Sequence, residues 1–469
     1  MSAPRHLLFP VETINRELDY RLALGVLAAR PNNRIYIGLH DTLLRLARHL
    51  RGGVYLGKQV IRPHFPDALE DYHQLKERDF IIVHFDTEGA VYPGDEPLWE
   101  KILHQRLDPR RLHPEDFVCT WGDFQRDVYR DMDPACADNI RTTGHPRFDL
   151  YRRQWRDYYQ PDARALRARY GPFILINTNL ARANNRLGYD FVFSPYNGYL
   201  PDHLETRLQA IDEWAYKTEQ LSHFVRLVHR LHTVFPDQRI ILRPHPSEDP
   251  RFYRRAFQGL DTVDVIHQGP VAPWLLACRC MIHDGCTTGL EAHLGEVRII
   301  NFRPVDNPVQ QLFLPNQFGV PCQSIDDVVD CLVELLHVRD RRTAFDDPPL
   351  IDHRARRLLN NLCDDSFPSM LSVLDEAQQK IDRTEGLPKL ALHTEESVFG
   401  ALESLKGLLR PLSPRHRRAN AYARGKFPGL DAEDIAPRME RLQSLAGCHV
   451  NHRVISRGLM IIDTPDDPI

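Results

Sequence analysis

Ile240-Ile241-Leu242-Arg243-Pro244-His245-Pro246-Ser247 and, further on, Cys280-Met281-Ile282-His283-Asp284-Gly285-Cys286-Thr287-Thr288-Gly289-Leu290-Glu291 decide how this chain reads. Each is a short apolar run that breaks into residues suited to a phosphate. In a parallel α/β sheet the carboxyl ends of the strands form the ligand crevice. The second stretch passes straight into a helical pattern, and the unpaired N–H groups and dipole of a helix start favour an anion. Two such strand ends side by side make a site for a phosphate- or diphosphate-linked donor, so the expectation is an α/β enzyme that handles an activated nucleotide sugar.

The same rhythm extends in both directions. His6-Leu7-Leu8-Phe9, Arg34-Ile35-Tyr36-Ile37-Gly38, Gly53-Val54-Tyr55-Leu56, Phe80-Ile81-Ile82-Val83-His84-Phe85, Phe117-Val118-Cys119-Thr120-Trp121 and Ile140-Arg141-Thr142-Thr143-Gly144 read as strands. Helical patterns lie between them, from Arg16 to Ala29 and from Thr42 to Leu50. Strands separated by helix-length segments form βαβ units and a mostly parallel sheet. An Arg-rich stretch from Tyr151 to Tyr170 reads as a link. A second block opens at Phe173-Ile174-Leu175-Ile176-Asn177, continues through a long helix from Glu205 to Phe235, and ends with Val263-Asp264-Val265-Ile266 and Arg298-Ile299-Ile300-Asn301-Phe302 among its strands. The expected architecture is two Rossmann-like doubly wound α/β domains facing a cleft. Residues 1–155 form the acceptor-side domain, 165–345 the nucleotide-sugar-binding domain, and 346–469 a mainly helical segment packing back on them.

With 42% apolar and 26% charged residues over 469 positions, the chain has the composition of a soluble globular protein. A net charge of −4 gives no general attraction to nucleic acid. Nine cysteines include no CxxC pair and no disulfide framework, which argues against a zinc site and for a reducing cytosol. No signal segment and no apolar run of ~18 residues is present, so a cytoplasmic protein is expected.

His245, stiffened by Pro246, can donate to a phosphate or protonate a leaving group. The competing reading is a loop-capping histidine, since His113-Pro114 and His145-Pro146 repeat the dipeptide. Arg243 is a candidate cation at the same strand end. The Thr287 and Thr288 hydroxyls complement phosphate oxygens, and Gly285 and Gly289 permit close backbone approach. A plain N-cap is the alternative for the threonines. Glu291 suits sugar hydroxyls or serves as a helix-start charge. Asp86-Thr87-Glu88-Gly89 follows a strand and offers a carboxylate base, or else a turn. Glu12, Arg16, Arg147, Asn177 and Asn179 complete the candidates for the cleft, with Arg182 as a further cation for an acidic sugar. The basic stretch at 410–426, with Arg415-His416-Arg417-Arg418, reads as a solvated tail or as a contact with an anionic membrane face. No cluster has metal-ligand spacing, and no cofactor is expected.

The order of an acidic motif before glycine, then His-Pro, then a hydroxyl pair resembles bacterial sialyltransferases and transferases of 3-deoxy-2-ulosonic acids. Phe9-Pro10-Val11-Glu12, Arg16-Glu17-Leu18-Asp19, Thr143-Gly144-His145-Pro146-Arg147-Phe148-Asp149, Ile282 to Gly289 and Lys426-Phe427-Pro428-Gly429 together resemble the bacterial surface carbohydrate biosynthesis proteins. That likeness covers most of the chain. It implies a metal-independent GT-B glycosyltransferase with Glu88 as base, Asp86 as its alternate, His245 as phosphate-binding acid, and Thr287 and Thr288 as the phosphate clamp. Thr87 stands where the sialyltransferase motif has the first of two acids. The implied substrates are a CMP-linked 3-deoxy-ulosonate and a glycan or lipid-linked acceptor at the inner membrane face. Competing readings are a UDP-sugar hexosyltransferase or 2-epimerase, a CDP-polyol phosphotransferase, and a non-catalytic sugar-nucleotide-binding scaffold.

Overall fold

Strands apolar on both faces are stable only inside a parallel sheet covered by helices. The computed structural model, which describes residues 4–58, 66–87, 91–337, 353–386, 389–409 and 426–465, has two such sheets. The chain divides into two compact units: Met1–Val91, Glu96–Tyr158 and Ile351–Ile469 form one, and Tyr92–Asp95 with Tyr159–Leu350 form the other.

In the first unit β1 (Arg5–Pro10), β2 (Asn33–Gly38), β3 (Gly53–Gly57), β4 (Phe80–Phe85), β5 (Phe117–Thr120) and β6 (Ile140–Thr142) run parallel. The strand order reverses between β1 and β3, since β2 lies on one side of β1 and β3 to β6 on the other. In the second unit β7 (Phe173–Asn177), β8 (Arg239–Arg243), β9 (Val263–Val265), β10 (Cys280–His283), β11 (Ile299–Phe302) and β12 (Val320–Cys322) form a parallel sheet in the order β12-β11-β10-β7-β8-β9. Its reversal falls between β7 and β10. The helix Leu204–Val234 carries Leu221, Phe224, Leu227, Val228 and Leu231 at helical spacing. These pack on Ile174, Ile176, Ile240, Leu242 and Ile282 of the sheet. Burying each such side chain contributes roughly 1.5–3 kcal/mol.

Beyond residue 353 the chain is mainly helical, with Ser366–Gln379, Lys389–Leu409 and Ala432–Ala446 its longer helices. The hairpin of β13 (Asn451–Ser456) and β14 (Leu459–Asp463) is an addition to the helices expected there. It joins the first sheet antiparallel to β2, giving eight strands in all. Arg34 of β2 meets Glu396 at 3.6 Å and Asp463 at 3.9 Å, and Arg453 lies 3.6 Å from Asp463. This buried ion cluster ties the hairpin and the helix Lys389–Leu409 to the sheet. The stretch 410–425, which holds most of the basic segment, lies outside the described residues, as do 338–352.

The Gly144-His145-Pro146-Arg147-Phe148-Asp149 stretch also reaches a late part of the chain. His145 N–H donates to Asn361 Oδ1 at 2.7 Å, and Asn361 Nδ2 donates to the His145 carbonyl at 3.2 Å and to Asp149 Oδ1 at 2.8 Å. Phe367 N–H donates to Asp149 Oδ2 at 2.7 Å. Gly144 has φ +71°, and a Cβ there would stand 2.6 Å from Asn361 Oδ1, so only glycine fits.

Two outcomes follow from this junction. Asn361→Ala strands the buried His145 N–H and should cost about 2–4 kcal/mol in chemical denaturation. Burial raises the Asp149 carboxyl to about 7. A carboxyl raised on folding stabilises the fold fully below its unfolded pKa, and that contribution is lost as pH rises through about 7. Relative to Asp149→Asn, the parent should therefore lose on the order of 3 kcal/mol of unfolding free energy between pH ~4 and ~8, read from urea melts.

Candidate functional site

Parallel register sets Arg243, Asn177, His283 and Asn301 in one row across β8, β7, β10 and β11. The row lies at the carboxyl ends of the strands and crosses the β7–β10 reversal. Asn179 Nδ2 spans that reversal by donating to the Gly285 carbonyl at 2.6 Å. Asn177 donates to Met281 Sδ at 3.5 Å, while its buried Oδ1 has no partner.

Glu248, 1% exposed, organises the loops after β7 and β8. It accepts from Leu180 N–H at 2.9 Å, His245 N–H at 3.1 Å, Thr178 Oγ1 at 3.0 Å and Tyr253 Oη at 2.5 Å. Burial pushes the Glu248 carboxyl up, and these hydrogen bonds oppose the push.

His245 and His145 form the same local turn. Ser247 N–H donates to His245 Nδ1 at 3.2 Å, and Arg147 N–H to His145 Nδ1 at 3.0 Å, so each ring carries its proton on Nε2 when neutral. The surroundings differ. The His145 ring is enclosed by Tyr20, Phe85, Trp121 and Phe148. His245 is half-buried and has no such ring cage among the described residues. Arg243 is committed elsewhere: it donates to the Gln268 and Gly269 carbonyls at 2.8 and 2.9 Å and lies 5.0 Å over the Trp274 ring. Burial lowers its pKa to about 10. Arg182 likewise pairs with Glu213 at 3.2 Å.

Polar atoms gather around Gly285. Its φ of +58° is left-handed, and Asn316 Oδ1 accepts its N–H at 2.9 Å. A Cβ at this position would stand 3.1 Å from Gln310 Oε1 and 3.5 Å from Lys217 Nζ. Asp284, 1% exposed, accepts from Gln220 Nε2 at 2.7 Å and lies 3.8 Å from Lys217 Nζ. Lys217 Nζ, Gln310 Oε1, Asp284 Oδ1 and Gln220 Oε1 are all buried without a hydrogen bond. Sequence reading missed Lys217, although helical periodicity puts it, with Gln220, on the stripe of Leu221 and Phe224.

Thr287 makes no side-chain cap to the helix Thr288–Leu294, so its hydroxyl is not spent as a plain N-cap. Thr288 and Glu291 sit in the first turn, Glu291 buried. The close approach that Gly289 permits is to His283: a Cβ there would be 2.7 Å from His283 Cε1. Burial drops the His283 pKa to about 3, which keeps the ring neutral.

The remaining candidates belong to the first unit. Lys58 Nζ meets Glu12 at 2.8 Å. Glu17 accepts from Glu12 N–H at 2.7 Å and from Thr87 Oγ1 at 3.2 Å, and lies 3.4 Å from Arg16. Burial pushes the Glu17 carboxyl up, but Lys58 and Arg16 outweigh it and hold it below the usual range. Arg106 grips both oxygens of Asp86, at 2.5 and 2.8 Å, which suits an ion pair better than a base. Arg147 is buried over the Trp121 and Phe148 rings. Glu88 lies outside the described residues. Among the described residues no group of His, Cys, Asp or Glu has the arrangement of a metal site, and no helix is long and apolar enough to cross a membrane.

Each of the two units is thus a Rossmann-like α/β unit, built on a mainly parallel sheet with one reversal of strand order. By sequence it matches no protein-family model and no curated protein. By structure it is similar to the UDP-GlcNAc 2-epimerase of Methanocaldococcus jannaschii, with 11% identity, a TM-score of 0.44, and coverage of 73% of this chain and 96% of that one. It is also similar to the wall teichoic acid polymerase TagF, with 11% identity, a TM-score of 0.43 and coverage of 80% and 89%. A Listeria monocytogenes protein described as a UDP-N-acetylglucosamine 2-epimerase shows 11% identity, a TM-score of 0.46 and coverage of 82% and 99%.

Glu248 separates charge from hydrogen bonding. In Glu248→Gln the amide oxygen can still accept from Leu180 and His245, while the amide nitrogen donates to the Tyr253 and Thr178 hydroxyls. Its stability should stay within about 1 kcal/mol of the parent, whereas Glu248→Ala, which strands two backbone N–H groups, should lose about 3–5 kcal/mol in urea denaturation.

Proposed function

We propose that the second unit holds the phosphate of a nucleotide sugar above Gly285, and that the chain is a glycosyltransferase of bacterial surface polysaccharide assembly. The observation that carries this reading is the set of buried polar atoms without partners beside Gly285, at the reversal of strand order: Lys217 Nζ, Gln310 Oε1 and Asp284 Oδ1. Leaving such groups unpaired costs roughly 1–3 kcal/mol each, and a bound ligand would recover that cost. Lys217 supplies charge, the Thr287 and Thr288 hydroxyls supply donors, and His245 is the phosphate-binding acid.

In this reading the donor is a CMP-linked acidic 3-deoxy-ulosonate and the acceptor a glycan, free or lipid-linked, at the cytoplasmic face of the inner membrane. Glu88 takes the proton of the acceptor hydroxyl. The hydroxyl oxygen bonds to the anomeric carbon as the bond from that carbon to the phosphate oxygen breaks. CMP leaves with the electron pair, and Lys217, His245 and the threonines stabilise its charge. No metal or cofactor takes part in the scheme.

A thermal-shift panel of CMP, CDP, UDP and GDP tests the donor, since a ligand of the folded state raises the midpoint. CMP should act alone. A response confined to UDP would favour a hexosyltransferase or epimerase, one confined to CDP a polyol phosphotransferase, and silence from all four would overturn the donor site. Lys217→Met should weaken CMP binding by about 10–100-fold, the worth of one charge-assisted hydrogen bond. For the base, Glu88→Gln with turnover intact would remove the assignment.

A further inference from the structure

We infer that the first unit carries an oxyanion site of its own, built around Arg21 and taking the carboxylate or phosphate group of a sugar derivative. The inference is independent of the donor site in the second unit.

Arg21 sits in the helix Ile14–Ala28 that follows β1, and it is 1% exposed. Its Nε and Nη1 are buried with no hydrogen-bond partner, and no carboxylate of the described residues lies within ion-pair distance of it. Its guanidinium carbon instead stands over three rings, 5.9 Å from the centroid of Phe9, 5.1 Å from Tyr20 and 6.0 Å from Phe85. Ring contacts offset part of the cost of burying the charge but use none of the five N–H donors of a guanidinium. A buried charge without a hydrogen-bonded counter-charge is strongly unfavourable. The neighbouring Tyr20 hydroxyl is also buried and unpartnered.

Topology supplies the second argument. Phe9 is the penultimate residue of β1 and Phe85 the last of β4, and these strands flank β3. Arg21 therefore stands at the carboxyl ends of the strands, at the β1–β3 reversal, where open α/β sheets bind ligands. The local charge is positive. Arg16 and Arg147 act with Arg21 on the Tyr20 hydroxyl and the His145 ring. The carboxylates nearby are already engaged: Glu12 is bound to Lys58, and Glu17, which feels Lys58, Arg16 and Arg21, accepts from the Glu12 and Thr13 N–H groups and Thr87. Burial and then Arg147, Arg21 and Arg16 keep the enclosed His145 ring neutral, so it adds no competing charge. Arg16, with a side chain 36% exposed, marks the side open to solvent. An oxyanion with two acceptor oxygens, carboxylate or phosphate, would give the Arg21 fork its missing acceptors and the Tyr20 hydroxyl a partner.

The test titrates the full chain at fixed ionic strength with inorganic phosphate, with glucuronate, and with glucose as the neutral control, following the thermal midpoint. A saturable rise of a few degrees with phosphate or glucuronate, and none with glucose, is expected. A response to phosphate alone identifies a phosphorylated ligand, and one to glucuronate alone a sugar acid. Arg21→Met should abolish the rise while its ligand-free midpoint stays at or above that of the parent, because apolar volume replaces an unpaired charge. Arg21→Lys, which keeps the charge without the fork, should bind at least tenfold more weakly. A Thr287→Ala, Thr288→Ala double variant should keep the rise, which separates this site from the one beside Gly285. The proposal is overturned by a parent that responds to neither anion, by Arg21→Met retaining the response, or by a ligand-free Arg21→Met midpoint several degrees below the parent's.

Discussion

Where a parallel strand ends, its backbone N–H groups lose the ladder that satisfied them, and buried ones must find an acceptor. In the second unit that acceptor is Glu248. One carboxylate takes the N–H of Leu180 beyond β7 and that of His245 beyond β8, so the two loops share an anchor. The positions of Asn177 to Asn179 and of His245 follow from it. The first unit meets the same demand with Asn361 and Asp149, which join the loop after β6 to the chain near Phe367. In each unit the loops thus rest on a buried polar group that serves geometry.

The two reversals of strand order differ in charge. Beside Gly285 the unpartnered atoms are of both kinds, an ammonium among carbonyl and carboxylate oxygens. Such a mixed lining suits a ligand that presents hydroxyls and a phosphate together. At the β1–β3 reversal the unpartnered atoms are donors on Arg21 and Tyr20, set among further cations. That lining suits an anion.

Strands β1 to β11 were legible because their apolar runs are bounded by turn residues, and the long helix because its stripe keeps its period. β12 was not, being three residues long with Pro321 at its centre. The hairpin was hidden by the polar β13, His452 and Arg453 included, although Leu459-Met460-Ile461-Ile462 carried a strand signal. The candidate residues were legible as strand-end positions, but the direction of each side chain was not. Arg243 turns to the 268–269 carbonyls, and Asp86 to Arg106. His145 and His245 make identical local turns, and only the rings packed around one of them tell the two apart. Lys217 was readable as a lysine on an apolar stripe, yet its neighbour Asp284 is distant in the chain, so spacing alone could not join them.

The hairpin β13–β14 also sets an order of events during synthesis. The second unit is an almost continuous insertion, so its sheet can close as soon as residue 322 is free of the ribosome. The first unit, begun earlier, must wait for residue 463. Until then β2 is an open edge, with unpaired backbone groups that invite another chain, and Arg34 lacks Asp463. The half that starts first finishes last, so the nascent protein depends longest on protection where its own N-terminal strands are exposed.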